Sequence, residues 1–312
     1  MSAKQEDEFN DNPQFPAVLV FAGPNGSGKS TITEAILSDP AQFDGEYINA
    51  DDIARALEPE IPDYLERNLK AAAMAEELRV QAMSEGRDFA FETVMSTPEK
   101  VALMTQAKAL GYRVTLVFVT TQDPEINVQR VAGRVAVGGH AVEPDAIRRR
   151  YEAAMALLPA ALEQADQATI LDNSQGRDGI VVVANKIDDA IEIQESAADV
   201  PWVGEKLVEP LKARQLSRRL MNVVAGGRTI CGAEAKDGKD YSGEILRVTR
   251  HHVLQEVDGA LILHDRQLVA TREFHEGELQ AVSYRYTHGK IAALDEPETR
   301  DASRVRAPRT KG

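Results

Sequence analysis

The chain has 312 residues, 43% of them hydrophobic, which is enough for two domains or for one α/β domain with an appendage and argues against a disordered chain. Its formal net charge of -14 is uneven: 17 Lys plus Arg face 34 Asp plus Glu before Val200, and 19 face 16 from there on. The acidic half repels a phosphate backbone outside any pocket that gathers cations, so a small ligand is expected there and not nucleic acid; the single Cys231 excludes a disulfide framework or cysteine metal cluster and fits a reducing cytoplasm.

Met1 to Gln14 is polar and acidic, and is read with residue 15 as a disordered segment. No secretion signal is visible, and no apolar run approaches the roughly 20 residues of a membrane span, so a cytoplasmic protein is expected. "AVLVFA", Ala17 to Ala22, is a short continuous apolar run before a glycine loop, the pattern of a buried parallel strand. A helix is expected from about Gly28, a second strand around Ile48, and an alanine-rich helix from Glu66 to Glu85, ended by Gly86. Asp88 to Thr93 is a third strand, Glu99 to Leu110 a helix, and Arg113 to Thr121 a fourth strand. Pro124 opens a further helix, "GGH" at Gly138 to His140 breaks it, and Pro144 starts another.

Ala168 to Asn173 closes the sheet as a fifth strand, and Gly179 to Ile193 reads as a β hairpin. The alternation of β and α predicts a P-loop NTPase fold of class α/β, with a mostly parallel five-stranded sheet flanked by helices. The domain layout expected is a kinase-type domain at 16–195, a linker or helical segment at 196–240, a small β-rich domain at 241–293, and a disordered tail at 294–312.

Gly23, Pro24, Asn25, Gly26, Ser27, Gly28, Lys29 and Ser30 fit G-x-x-x-x-G-K-[ST] at every fixed position, and Thr31 follows. The loop lies between a buried strand and a helix start, the context that makes a phosphate-binding P-loop. Backbone N–H groups and the helix N-terminus would cradle the β-phosphate of ATP, Lys29 would reach the β and γ oxygens, and Ser30 would hold Mg²⁺.

A P-loop does not separate kinases from other NTPases. A hydrolytic ATPase would end an apolar strand in an acid, but the fourth strand ends "VFVTTQDPE", with polar residues before Asp123. Just beyond the second strand stands an acid pair, Asp51 and Asp52, where a carboxylate can take a proton from an attacking hydroxyl; one of the pair can instead cap the helix "DIARAL". Glu92 and Thr93 end the third strand, beside the P-loop, where they can grip an acceptor's hydroxyls. Arg130, Arg134, Arg148, Arg149 and Arg150 flank the glycine break and offer cations to the γ-phosphate, two or three of them being surface residues instead.

"GPNGSGKST", "INADDIA", "FETVMST" and "QRVAGRVAVGGHAVEPDAIRRRY" together resemble the zeta toxin family of P-loop kinases, over about Ala17 to Ile193. The resemblance implies phosphorylation, with ATP and Mg²⁺, of the 3-hydroxyl on the N-acetylglucosamine part of UDP-N-acetylglucosamine, which poisons peptidoglycan synthesis. It also implies an antitoxin that blocks the ATP site. By motif it makes Lys29 and Ser30 the P-loop lysine and Mg²⁺ ligand, Asp51 the general base, Glu92 a substrate-binding residue, and Arg130 or Arg134 with Arg148 the arginine pair at the γ-phosphate. Ser96 stands where the best-known toxins carry an Arg.

Tyr241 to Ile291 resembles the KfrB-like domain, a small β module attached to conjugative-plasmid proteins, and implies the rival reading of a plasmid-associated ATP-binding protein whose module recruits a partner. Two motifs are read as structural. "NKID", Asn185 to Asp188, matches a GTPase guanine motif but is taken as a polar hairpin turn. His251, His252, His264, His275 and His288 are taken as surface or cross-strand residues and not as a metal site, and Arg218 and Arg219 as a solvated helix face.

Overall fold

A computed structural model describes residues 15–138, 141–176 and 179–286. The expectations for the disordered ends before Phe15 and after Tyr286, for Gly139 and His140 in the glycine break, and for His288 fall outside the described residues. No helix among the described residues is long and apolar enough to cross a membrane.

The first sheet follows the chain closely. Strands β1 (Ala17–Ala22), β2 (Glu46–Tyr47), β3 (Phe89–Thr93), β4 (Arg113–Thr120) and β5 (Gln167–Asp172) are parallel and lie in the order β2-β3-β1-β4-β5. The expected hairpin, β6 (Val181–Ile187) and β7 (Ala190–Ile193), does not stand apart: β6 pairs antiparallel with β5, so the sheet has seven strands where five were expected. Pairing with β6 satisfies the backbone groups that an edge β5 would leave open.

Helices α1 (Lys29–Leu37), α4 (Pro98–Ala109), α5 (Pro124–Ala136) and α6 (Pro144–Gln164) connect these strands. Leu19, Phe21, Val117 and Val119 form a core against Ile32, Ile36 and Leu37 of α1. The alternate residues Val18, Val20, Leu116 and Phe118 are equally buried on the other face, where α4 and α6 pack against β4. A strand covered on both faces must be apolar throughout, which is why β1 and β4 read as continuous hydrophobic runs.

"NKID" is corrected. Asn185 and Lys186 lie within β6, and only Asp188, in the left-handed region at φ 51°, belongs to the turn. Lys186 is buried and donates to the carbonyls of Leu162 and Ala165, neutralising the C-terminal end of α6. The stretch read as a linker or short helix contains a π-helical turn (Val203–Val208), a five-turn helix α7 (Glu209–Ala225) and a strand, β8 (Ile230–Gly232).

The second sheet takes β9 (Asp240–Val248), β10 (His252–Val257), β11 (Ala260–Asp265) and β12 (Leu279–Ser283) in the order β12-β9-β10-β11-β8. Met221 and Ala225 of α7 bury its apolar face against Leu254 and Leu261. Ala235 joins it to α4, its N–H donating to Thr105 Oγ1 at 3.2 Å and its carbonyl accepting from Gln106 at 3.0 Å. Both sheets belong to one compact unit, residues 15–49 and 77–286.

Ala50–Glu76 forms a separate compact unit. It holds α2 (Ala50–Leu57) and the first half of α3 (Tyr64–Glu85), with Arg67 donating to the carbonyls of Ile61 and Pro62 at 2.9 and 3.2 Å and stacking over Tyr64.

Candidate active site

The loop between β1 and α1 is shaped by contacts that exclude side chains. Gly23 has φ 137°, and a Cβ there would lie 1.9 Å from the Val119 carbonyl oxygen. Gly28, which caps α1 at φ 95°, would place a Cβ 2.3 Å from Asn173 Nδ2. Any other residue at these positions would displace the loop from β4 and β5. Ser27 is fully buried, and its carbonyl accepts from Asn173 Nδ2 at 2.8 Å; the Asn25 carbonyl accepts from Asn127 Nδ2 at 2.7 Å.

These two asparagines hold the loop from behind and were not singled out from sequence. Asn173 follows β5 and Asn127 lies in α5, 146 and 102 residues from their partners, and only burial of an amide in an apolar setting distinguishes them.

Lys29 is buried, and its Nζ donates to the Pro24 carbonyl at 2.9 Å, folding the ammonium over its own loop. Ser30 is exposed at the start of α1, and its hydroxyl donates to Glu92 Oε2 at 3.2 Å. The second Glu92 oxygen is buried with no hydrogen-bond partner, as are Asn25 Oδ1, Ser27 Oγ and Asn173 Oδ1. A serine hydroxyl and a carboxylate oxygen left without a donor are ligands that suit a hard cation and its water, so Ser30 and Glu92 fit a Mg²⁺ site.

Thr93 is pinned beside them: its carbonyl accepts from Gly23 N at 3.2 Å and its hydroxyl from Met95 N at 3.0 Å. The strand that flanks β1 on the side away from β4 is β3, and its end carries Glu92, in register with Phe21.

Of the five arginines, Arg130 and Arg148 are engaged, Arg134 and Arg149 exposed, and Arg150 half-buried. Arg130 donates to the carbonyls of Asn173 and Ser174 at 2.8 and 3.1 Å. Arg148 grips both oxygens of Glu125 at 2.6 and 2.9 Å and Asp145 at 2.8 Å, contacts that raise its guanidinium pKa and lower that of Glu125. Arg134 is exposed in the last turn of α5, and Arg149 is exposed on α6. Asp51 and Asp52 lie in the first turn of α2, in the separate unit, both exposed; Asp52 pairs with Arg55 at 2.9 Å. The structure thus gathers Lys29, Ser30, Glu92 and Thr93 around the loop, with Arg130 on the Asn173 side.

A second polar cluster lies in the other sheet. His252 and His264 are 1% and 0% exposed, so neither is a surface residue, and His264 takes the cross-strand role, bonded from β11 to Gln255 of β10. Glu163, His252 and Asp265 offer ligand atoms within 4.8 Å of one another, as a metal site would. A cation is already present: Arg214, 1% exposed, donates to both Glu163 and Asp265, and Arg218 also pairs with Glu163. Arg218 keeps a largely exposed side chain while it reaches Glu163, and Arg219 is exposed. Burial alone would raise the Glu163 carboxyl pKa, but the His252 contact and the two guanidiniums hold it well below the usual range.

A strand, a glycine loop closing on a helix, a lysine over the loop, and a Ser–Glu pair across the β2-β3-β1-β4-β5 order define a P-loop phosphotransferase. The zeta toxin family model matches residues 2–186, more than half of the chain, and the chain belongs to that family. Residues 240–293 match the KfrB domain model. An uncharacterized protein of Haemophilus influenzae is 31% identical over 133 residues, covering 43% of this chain and 91% of its own.

Among solved structures, AvrRxo1-ORF1:-ORF2 with ATP aligns at a TM-score of 0.51 and 15% identity over 66% of this chain and 71% of that one, which is a likeness of fold. The PezAT toxin-antitoxin system of Streptococcus pneumoniae aligns at 0.42 and 19% over 70% and 90%.

Proposed function

We propose that the protein is an ATP-dependent kinase of small molecules that phosphorylates a hydroxyl of a nucleotide sugar, the 3-hydroxyl of the N-acetylglucosamine part of UDP-N-acetylglucosamine, and acts as the toxin of a toxin–antitoxin pair. The observation that carries phosphoryl transfer is the P-loop hydroxyl of Ser30 bonded to a carboxylate on the neighbouring strand. Membership of the zeta toxin family supports the acceptor and the antitoxin partner.

In this reading the loop from Gly23 to Thr31 binds ATP, and Lys29 exchanges its Pro24 carbonyl for phosphate oxygens. Ser30, with Glu92 behind it, would hold Mg²⁺, which neutralises phosphate charge when bound. Asp51 accepts the acceptor's proton, and Glu92 and Thr93 face the acceptor. Arg130, Arg134 and Arg148 neutralise the moving phosphoryl group; Arg148 does so by trading Glu125 and Asp145 for phosphate oxygens. The kinase part is assigned to 16–195 and the accessory part to 241–293.

The test is to incubate the purified protein with radiolabelled ATP, Mg²⁺ and UDP-N-acetylglucosamine and to separate the nucleotide sugars. Labelled nucleotide sugar with wild type and about 10²–10⁴-fold less with Asp51→Asn supports the reading. ATP binding without label excludes this acceptor. The KfrB match favours a second reading, a plasmid-associated ATP-binding protein whose module recruits a partner; growth arrest on expression, relieved by Asp51→Asn, would exclude it.

A further inference from the structure

We infer that Trp202, which lies beyond residues 2–186 matched by the kinase family, is a positioning residue for the phosphate loop and acts on it through Asp172 and Asn173. The inference rests on the reading of that loop as a nucleotide site and adds a residue from outside the kinase part. The indole Nε1 of Trp202, a group that can only donate, bonds Asp172 Oδ2 at 2.7 Å, and both side chains are buried. The other oxygen of the same carboxylate accepts from the Ser174 backbone N–H at 2.8 Å, which closes a turn over Asn173. Asp172 is the last residue of β5, so a carboxylate held at both oxygens fixes the path by which the chain leaves the sheet.

Asn173 stands in the middle of that turn. Its N–H donates to the Thr120 carbonyl at 2.8 Å, its carbonyl accepts from Arg130 at 2.8 Å, and its Nδ2 donates to the Ser27 carbonyl of the loop at 2.8 Å. Asn173 Oδ1 is buried without a partner, so the side chain is aimed at the loop by one bond and by the backbone that carries it. Trp202 is itself held from outside the first sheet. It precedes the π-helical turn, whose Lys206 bonds Glu152 of α6 at 2.8 and 2.7 Å and lies 5.1 Å over the Tyr151 ring. The helix α7 follows that turn directly and buries its apolar face on the second sheet. A phenyl ring in place of the indole would leave a buried carboxylate oxygen without its donor; a carboxylate in that condition swings toward another donor or admits water, and the turn is released.

The test uses the full chain with ADP and Mg²⁺. Calorimetric titration of wild type, Trp202→Phe, Asn173→Ala and the double variant forms a cycle. Each single change is expected to weaken ADP about 5–10-fold, and the double variant to be no weaker than Asn173→Ala, because without the amide Trp202 has nothing left to position. Trp202 is the single tryptophan of the chain, so its emission is a second readout. ADP is expected to shift that emission in wild type and not in Asn173→Ala, and these two titrations decide the matter if Trp202→Phe does not fold. A folded Trp202→Phe that binds ADP like wild type, losses that add in the double variant, or a wild-type emission that ADP does not move overturns the inference and leaves the nucleotide site standing. Wild type that does not bind ADP overturns both.

Discussion

The P-loop and the Arg214 cluster both bury polar side chains from distant parts of the chain, and they differ in what remains unpaired. Around the loop the atoms without partners are oxygens: Asn25 Oδ1, Ser27 Oγ, Glu92 Oε1 and Asn173 Oδ1. Around Arg214 they are nitrogens, Arg214 Nε and His251 Nε2, and the guanidiniums of Arg214 and Arg218 already face carboxylates. Two cations and two acids balance within the second cluster, which is braced further by Ser217 between His252 and Thr249 at 2.7 and 2.6 Å and by Gln267 reaching the Ala156 carbonyl at 3.0 Å. Charge balance, more than the presence of a triad of ligand-type residues, marks the second cluster as structural.

The largest expected effect tests the structural end. Arg214→Ala leaves Asp265 buried without its cation and Glu163 with Arg218 alone, and should cost about 3–5 kcal/mol in urea unfolding. Phosphoryl transfer per folded molecule should be unchanged, and a transfer defect in the folded fraction would erase the distinction between the two clusters. Next comes the reverse case. Lys29→Ala should lower transfer about 10²–10³-fold while moving the unfolding midpoint little, because the lysine's bond is to its own loop. A large loss of stability there would mean that the loop, too, is structural.

The smallest effect is a pH slope in the second sheet. His264 accepts from the Tyr284 hydroxyl at 2.8 Å, and its Nε2–H donates to Gln255 Oε1 at 3.0 Å. The Gln255 amide is oriented for this by the carbonyls of Tyr241, Gly243 and Gln280. Burial pushes the His264 pKa down to about 3, against about 6.5 in the unfolded chain. The unfolded state therefore takes up a proton that the folded state refuses, and stability is complete above about pH 6.5 and falls as pH drops toward 3. The slope is at most about 1.4 kcal/mol per pH unit for one proton. Glu163 is also depressed and adds to the loss only nearer its ordinary value of 4.5. Unfolding midpoints between pH 6.5 and 5 should be flatter in His264→Gln than in wild type, and equal slopes would remove His264 as the cause.

Much of the fold was legible because its signals are local. "AVLVFA" reads as a doubly covered strand, and β1 is such a strand; Gly86 ends α3 with φ 66° as its position after Glu85 suggests. The second sheet was legible from its alternating segments, with Asp258 and Gly259 at positive φ in the β10–β11 turn. "NKID" misled because a strand carrying one buried lysine looks like a polar turn until α6 is in place to receive its ammonium. Arg214 was overlooked because an arginine in an amphipathic helix is ordinarily solvated, and nothing within α7 announces two acids 51 residues away on either side.

The sequence by itself determined the phosphate loop, since strand, glycines, lysine, serine and helix are contiguous and each residue's conformational preference acts on its neighbours. The sequence also put Glu92 near the loop, but only the tertiary structure decided the strand order and with it that Glu92, 62 residues from Ser30, is bonded to that hydroxyl. Strand order is set by how apolar faces pack over the whole sheet, a property that no short window of residues contains.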